Sequence, residues 1–391
     1  MTELVRKDKI MNVDHLANEV NTEIQSDILV ERCGQAGLIT MNRPKALNAL
    51  TLQMVRDLSA ALQSLRDDPN VLLVAIRGTN KLGRPGTVES RFGGFCAGGD
   101  IRFFHQAVLA GDTSLEDFFT EEYTLNHLIH TYPKPFIAFM DGVVMGGGMG
   151  ISQGAKIRVV TEHTKMAMPE TNIGLFPDVG GGYFLSRCPG HVGEYLALTG
   201  EVIGPDEALS YGLADVKCTS ASLPALWGKL GNQTFTSKEA ADQWITAEFA
   251  TGKASVEGST EKIDQYFSLL RVKHMVDALE RAQDDPWALK MAKVLRKRSP
   301  LMLHVTLEQI RRARSMSLAD DLRMERDMVY QCFHLRPGKE SETFEGIRAL
   351  VVDKDYSPNW QPARIEEVKP GMADAFFVSP WSPETHPLRG L

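Results

Sequence analysis

The 391-residue chain lacks the features that mark several large function classes. It has no run of about 18 or more apolar residues, so no membrane span is expected. Its five cysteines, Cys33, Cys96, Cys188, Cys218 and Cys332, form no C-x-x-C pair. An odd, scattered set fits a reducing compartment and gives no thiol frame for structural zinc. The ten histidines include no H-E-x-x-H pair. His105, His127, His130 and His191 fall in helical patterns and read as structural or surface residues, so no metal is expected. A formal net charge of -7 gives no reason to expect nucleic acid as the main partner. The opening "MTELVRKDKIMNVDHLANEV" has neither the apolar core of a signal peptide nor the acid-poor composition of a transit peptide, so a cytoplasmic location is expected. No G-x-x-x-x-G-K-[ST] loop is present, and "MGGGMGISQG" (145–154) fails the dinucleotide fingerprint because Ile151 replaces its last glycine. No low-complexity tract or fixed-period repeat occurs.

A composition of 43% hydrophobic and 24% charged residues fits a globular protein, and the length suits two domains. "GLITMN" (37–42) reads as a strand. Leu50, Met54, Leu58 and Leu62 then recur at the spacing of an amphipathic helix, and "VLLVAIRG" (71–78) reads as a buried strand. This order is that of a βαβ unit. "PFIAFMDG" (135–142) and "KIRVVTE" (156–162) are further strands, and "GPDEALSYGLADVK" (204–217) is a capped helix leading into a short strand. An α/β layered core is expected over residues 25–220. Residues 221–391 are expected to form a mainly helical C-terminal region, with a polar loop at 251–260 and a Pro- and Trp-containing tail that wraps over a surface.

Two glycine clusters carry the chemistry. "MGGGMG" follows a strand and opens a helix, where bare amides and the helix dipole favour a negative oxygen. "RFGGFCAGGDIRFF" (91–104) precedes a second helix, with Asp100 placed to cap it. Close packing and simple capping explain the same residues. If the two turns converge, their N–H groups form an oxyanion hole. Gly150-Ile-Ser152-Gln-Gly154 matches the G-x-S-x-G elbow, but no strand directly precedes the serine, so Ser152 reads as a helix residue. In "MPETNIGLFPDVGGG" (168–182), Glu170 reads as a first-turn acid and Asp178 as an N-cap for "VGGGYFLSR". Catalysis is the alternative for both.

The segments "NRPKALNAL" (42–50), "FCAGGD" (95–100), "PFIAFMDGVVMGGGMG" (135–150) and "MPETNIGLFPDVGGGYF" (168–184) together resemble the crotonase (enoyl-CoA hydratase/isomerase) superfamily. "EEYTLNHLI" (121–129), "GLFPDVGGGYFL" (174–185) and "FEGIRALVVDKDYSPNW" (344–360) resemble its 3-hydroxyisobutyryl-CoA hydrolase branch. The resemblance implies a crotonase-like spiral of repeated β-β-α units with a C-terminal helical region. It implies an acyl-CoA substrate, with CoA as part of the substrate and no separate cofactor. The thioester oxygen would sit between the Gly99 and Gly147 amides. Ala97, with Gly98 and Asp100 beside it, would border the CoA, and Lys45 and Arg43 would meet its phosphates. Glu170 and Asp178 would be catalytic, and Glu122 would line the acyl pocket and read the substrate hydroxyl. Family hydratases carry a first glutamate three residues after the second hole glycine. Here that place is Gly150, so simple hydration is disfavoured. The expected reaction is thioester hydrolysis, a step of valine breakdown. A hydratase or isomerase, a serine thioesterase using Ser152 and a non-catalytic CoA-binding protein are the rivals. Trimers and hexamers are common in the superfamily, which makes a homo-oligomer an option unless the extra C-terminal length covers that surface.

Overall fold

The computed structural model describes residues 26–80, 92–250, 260–336 and 338–391. The expected N-terminal stretch without an apolar core, and the polar loop apart from Thr260, lie outside the described residues. A hairpin of β1 (Ile28–Cys33) and β2 (Ala36–Met41) forms one edge of a six-stranded sheet. Beside β2 lie β3 (Leu73–Gly78), β4 (Phe136–Met140), β6 (Ile157–Val160) and β8 (Val216–Lys217), all parallel to their neighbours. The crossover between β2 and β3 is α1 (Leu52–Asp67), the βαβ unit expected from the pattern. Thr51 caps this helix by accepting the Met54 N–H, so Leu50 lies ahead of it. Met54, Leu58 and Leu62 are buried, each contributing about 1.5–3 kcal/mol.

A second, smaller layer pairs β5 (Val143–Met145) with β7 (Lys165–Ala167) in parallel. Single bridges, Leu50 to Gly99 and Cys96 to Val144 on one side and Met166 to Ile203 on the other, widen it. The chain therefore lays one strand in the large sheet, one in the small layer, and then turns helical. β4 and β5 lead to α4 (Gly147–Gln153), and β6 and β7 lead to the 3-10 turn Glu170–Ile173. Between β3 and β4 run α2 (Ile101–Ala110) and α3 (Ser114–His130). This is a spiral of β-β-α units. Because the small-layer strands run parallel, their outgoing turns emerge at one edge, where open α/β folds place ligands. β1, β5 and β7 are legible only in the structure: β1 is a mostly exposed edge, and three-residue strands are too short to show a period.

Both faces of the large sheet are buried. Ile39 and Met41 face the larger core, while Ala36 and Leu38 face the other. After α5 (Gly181–Leu185), α6 (Val192–Thr199) and α7 (Pro205–Ser210), the chain is mainly helical. From α8 (Leu223–Asn232) and α9 (Lys238–Glu248), Trp227 and Ile245 cover the smaller core. Next come α10 (Glu261–Phe267), α11 (Val272–Arg281), α12 (Pro286–Lys297), α13 (Pro300–Ala313), α14 (Leu318–His334) and α15 (Glu342–Ile347). They extend the larger core, a continuous cluster reaching from Ile28 to Leu388. The tail packs on these helices: Trp360 Nε1 donates to the Lys297 carbonyl at 3.1 Å, and Trp381 sits 5.0 Å from the Tyr330 ring.

Candidate functional site

The turns leaving the small layer enclose a cleft of about 500 Å³. Lys45, Ala97, Gly98, Gly99, Asp100, Glu122, Gly147, Glu170 and Asp178 all line it, so the structure brings the site residues implied by the resemblance to one place. Gly98 adopts φ 101° and Gly146 φ 48°, conformations that favour glycine. These turns lay the Gly99 nitrogen 3.4 Å from where a Cβ of Gly147 would stand. In the parallel bridge to Leu50, the flanking groups make the bonds: the Leu50 N–H donates to Gly98 and the Asp100 N–H to Leu50. The Gly99 N–H is left pointing away from that bridge. Gly147 opens α4, whose first amides have no partner within the helix. Neither amide donates to a backbone carbonyl among the described residues. Aromatic packing fixes the first turn from beneath, since a Cβ on Gly99 would meet Phe104 at 3.0 Å and Phe118 at 3.3 Å.

Three carboxylates surround this pair of amides. Glu170 Oε1 lies 2.7 Å from the place of a Gly146 Cβ, and Glu122 Oε1 lies 2.6 Å from that of Gly147. Asp178 Oδ2 accepts the Tyr123 hydroxyl at 2.8 Å. Glu122, Glu170 and Asp178 are 2%, 7% and 6% exposed. Glu122 Oε1 and Glu170 Oε2 are buried without a hydrogen-bond partner. Burial, and then the charge of Asp178, hold Glu122 and Glu170 well above the usual carboxylate range. Burial pushes Asp178 up to about 6, against the lowering effect of the Tyr123 hydrogen bond. Three such acids titrate as a set, and full ionisation of all three is disfavoured. The cleft can therefore hold and pass protons beside an anion-binding pair of amides.

Three expectations are corrected. Asp178 does not cap α5: its carboxylate faces the cleft, and the α5 amides are received by acids of α14 instead, with Gly182 N–H on Glu325 Oε1 at 2.9 Å and Tyr183 N–H on Asp321 Oδ2 at 2.8 Å. Asp100 occupies the N-cap position of α2 without a side-chain cap bond, because it pairs with Arg43 at 2.9 Å. Arg43 is thereby committed to bracing the turn, also donating to the Ala49 carbonyl, rather than standing free for a phosphate. Ser152 is the helix residue its context indicated: it is fully buried in α4 and its hydroxyl donates to the Gly148 carbonyl at 2.8 Å, which removes the rival serine nucleophile. His105, His127, His130 and His191 do not line the cleft, and His105 stacks on Phe344 at 4.3 Å.

At Gly150 there is no room for an acid. A Cβ there would lie 2.7 Å from both Asn126 Nδ2 and Val179 Cβ. Val179 reaches this position from a left-handed backbone (φ 58°), a strain of about 1–3 kcal/mol for a β-branched residue. Sequence reasoning missed Tyr123, although it follows Glu122 directly. It also missed Arg102, an exposed cation at the cleft beside Lys45, and Leu350 and Val351, which close one wall. Those last two sit on a π-helical turn, Arg348–Val352. α15 anchors that region to the Glu170 turn, with the Thr343 hydroxyl donating to the Gly174 carbonyl at 2.7 Å. An apolar pair in a distant helical tail carries no local signal of a site.

Residues 36–377 match the sequence model of the enoyl-CoA hydratase/isomerase family. A mitochondrial 3-hydroxyisobutyryl-CoA hydrolase from Gallus gallus is 38% identical over 371 residues, covering 93% of this chain and 92% of that protein. A probable 3-hydroxyisobutyryl-CoA hydrolase from Arabidopsis thaliana is 37% identical over 360 residues, covering 90% and 92%. Among solved structures, an enoyl-CoA hydratase from Rhodobacter sphaeroides aligns with a TM-score of 0.77 at 36% identity, covering 91% of this chain and 98% of that one. A carnitinyl-CoA dehydratase from Mycobacterium thermoresistibile gives the same score and identity, covering 92% and 98%.

Proposed function

The chain belongs to the enoyl-CoA hydratase/isomerase family, and from that premise we propose that it hydrolyses 3-hydroxyisobutyryl-CoA to 3-hydroxyisobutyrate and free CoA. One observation carries the choice of reaction. The position where the family's hydratases need an acid is Gly150, closed by Val179 and Asn126, while Glu170, Asp178 and Glu122 crowd two unengaged amides. Hydration needs an acid and a base across a double bond. Hydrolysis needs attack on a carbonyl carbon, a place for the oxygen's charge, and a proton for the leaving thiolate.

Glu170, ionised when its proton passes within the acid set to Asp178, supplies the attack, as general base on water or as nucleophile through an anhydride that water then opens. The Gly99 and Gly147 N–H groups receive the charge on the carbonyl oxygen, a contribution of roughly 3–4 kcal/mol per donor. The C–S bond breaks, and the thiolate takes a proton from the acid set. Asp178, held by Tyr123, orients the water or the 3-hydroxyl and relays that proton. Glu122 accepts from the 3-hydroxyl, which supplies the donor its bare oxygen lacks. Ala97, Gly98 and Asp100 border the CoA, and Lys45 with Arg102 meets its phosphates. Residues 25–220 supply this chemistry, and residues 221–391 wall and brace it. These steps call only on side chains, backbone amides and water, so the proposed reaction requires no metal or redox cofactor. We place the protein in the cytoplasm, on the strength of free cysteines suited to a reducing compartment, and cell fractionation against the mitochondrial location named for the Gallus gallus relative tests this. Assembly as a homo-oligomer is tested by sedimentation.

Free-thiol release across a panel of short acyl-CoAs tests the reaction. The expected result is turnover highest with 3-hydroxyisobutyryl-CoA and reduced at least about 10³-fold in Glu170→Gln and in Asp178→Asn. Near-wild-type turnover in both variants, or hydration of crotonyl-CoA without thiol release, overturns it.

A further inference from the structure

The turn that carries Asp178 is gripped from both ends by two residues of the C-terminal helices. Gln309 on α13 donates from Nε2 to the Pro177 carbonyl at 2.6 Å and to Glu325 Oε1 at 3.0 Å. Glu325 on α14 accepts the Gly180 N–H on Oε2 at 2.7 Å and the Gly182 N–H on Oε1 at 2.9 Å. Both side chains are fully buried. Between these anchor points the backbone is left-handed at two successive residues, Val179 (φ 58°) and Gly180 (φ 85°). A left-handed valine persists only where its surroundings impose it. Here the imposed shape does two things: it turns the Asp178 carboxylate to the Tyr123 hydroxyl, and it drives the Val179 side chain into the place beside Gly150.

We propose that Glu325 and Gln309 are positioning residues that hold the Asp178 turn in its working geometry. The inference rests on the hydrolase reading for its kinetic consequence and on the hydrogen bonds alone for its structural one. Neither residue lines the cleft, so neither touches substrate. Glu325 holds the turn by accepting, because its oxygens take three neutral N–H donors, from Gly180, Gly182 and Gln309. A glutamine there keeps the volume but loses one acceptor. The charged or titratable groups facing Glu325 are Asp321 one turn earlier on α14, Asp178 on the turn, and Tyr123 on α3; Arg187, following α5, faces Asp321. Burial, and then the charge of Asp321, hold Glu325 well above the usual carboxylate range, so its grip on the turn rests on accepting its N–H donors rather than on its charge. Misplacing a reacting group by about 1 Å can cost about 10²-fold in rate, which sets the scale of the effect.

The test combines Glu325→Gln and Gln309→Met with a double-mutant cycle against Asp178→Asn, each variant first checked for cooperative thermal unfolding. Each single variant is expected to lower kcat about 10- to 100-fold with KM within about threefold. In the Asp178→Asn background each is expected to change kcat less than about twofold, because the group it positions is gone. The Asp178 carboxylate, followed by ¹³C NMR titration, is expected to rise by about half a unit or more in Glu325→Gln, because a slackened turn gives up the Tyr123 hydrogen bond that lowers it. Folded variants with wild-type kcat, or losses of equal factor in both backgrounds, overturn the inference. A wild-type protein that releases no thiol defeats the hydrolase reading instead. The titration then decides the positioning claim: a rise sustains it and an unmoved or lowered Asp178 overturns it.

Discussion

The cleft and the contact between α6 and α13 both bury carboxylates, and they treat them in opposite ways. Glu194 on α6 is 1% exposed, accepts two bonds from Arg314 Nη2 at 2.7 and 2.8 Å, and meets His191 Nδ1 at 3.1 Å. Glu342 at the start of α15 likewise takes the Gln361 N–H at 2.7 Å and the Ser299 hydroxyl. In the cleft, Glu122 and Glu170 each keep an oxygen bare, and their neighbours are other acids. Glu194 and Glu342 are satisfied by donors, as buried acids of folded proteins generally are. Among the described residues three buried carboxylate oxygens are bare: those of Glu122 and Glu170 lie beside two unengaged amides, and Asp321 Oδ1 on α14 lies outside the cleft against Gly182. An unsatisfied buried acid costs stability, so the contrast marks where binding and chemistry, rather than the fold, set the residue.

The contrast can be attacked from either side. Gly147→Ala brings a Cβ against Glu122 Oε1 and the Gly99 amide, and is expected to lower kcat about 10²–10³-fold with folding intact. Loss confined to KM in steady-state kinetics would remove the hole from its assigned place. On the structural side, Arg314→Ala strips Glu194 of its cation and is expected to destabilise the protein by about 3 kcal/mol in urea unfolding, with kcat unchanged. A smaller effect of opposite sign is expected at the cleft. Asp178 titrates at about 6 folded against 3.8 for the free group, so the folded state holds the extra proton between those values. Its contribution favours the fold below about pH 4 and is lost as pH rises through about 6. Asp178→Asn is thus expected to raise stability by about 1–3 kcal/mol at pH 8, while it lowers turnover about 10³-fold, with the gain vanishing near pH 4. Denaturant midpoints at the two pH values check this. The smallest effect concerns the rim: Lys45→Ala and Arg102→Ala are expected to raise KM about three- to tenfold with kcat unchanged, and less so at high salt.

How much of this was legible beforehand depends on the range of the signal. The β2–α1–β3 unit was readable because Met54, Leu58 and Leu62 repeat at helical spacing between two apolar runs. The glycines at 98 and 146 were readable as special turns because positive φ selects glycine. The acids were readable as site residues only through a resemblance spread over the chain, since Glu170 and Asp178 look locally like a first-turn acid and a cap. That local reading of Asp178 fails in the structure for a reason 147 positions away in the sequence: Glu325 already fills the capping role. The same distance hides Leu350, Val351 and Gln309, whose own neighbourhoods are ordinary helix.

The sequence by itself determined the alternation of strands and helices, the two glycine turns, the chemical inventory of the cleft and the missing acid at Gly150. Those are properties of local periodicity, backbone permissiveness and residue type. Only the tertiary structure decided which carboxylates would share one desolvated space, which cation would be spent on Asp100, and which distant helix would hold the Asp178 turn. Proton affinity and geometry depend on neighbours in space, and the spiral brings those neighbours from residues 43 to 351 into one cleft.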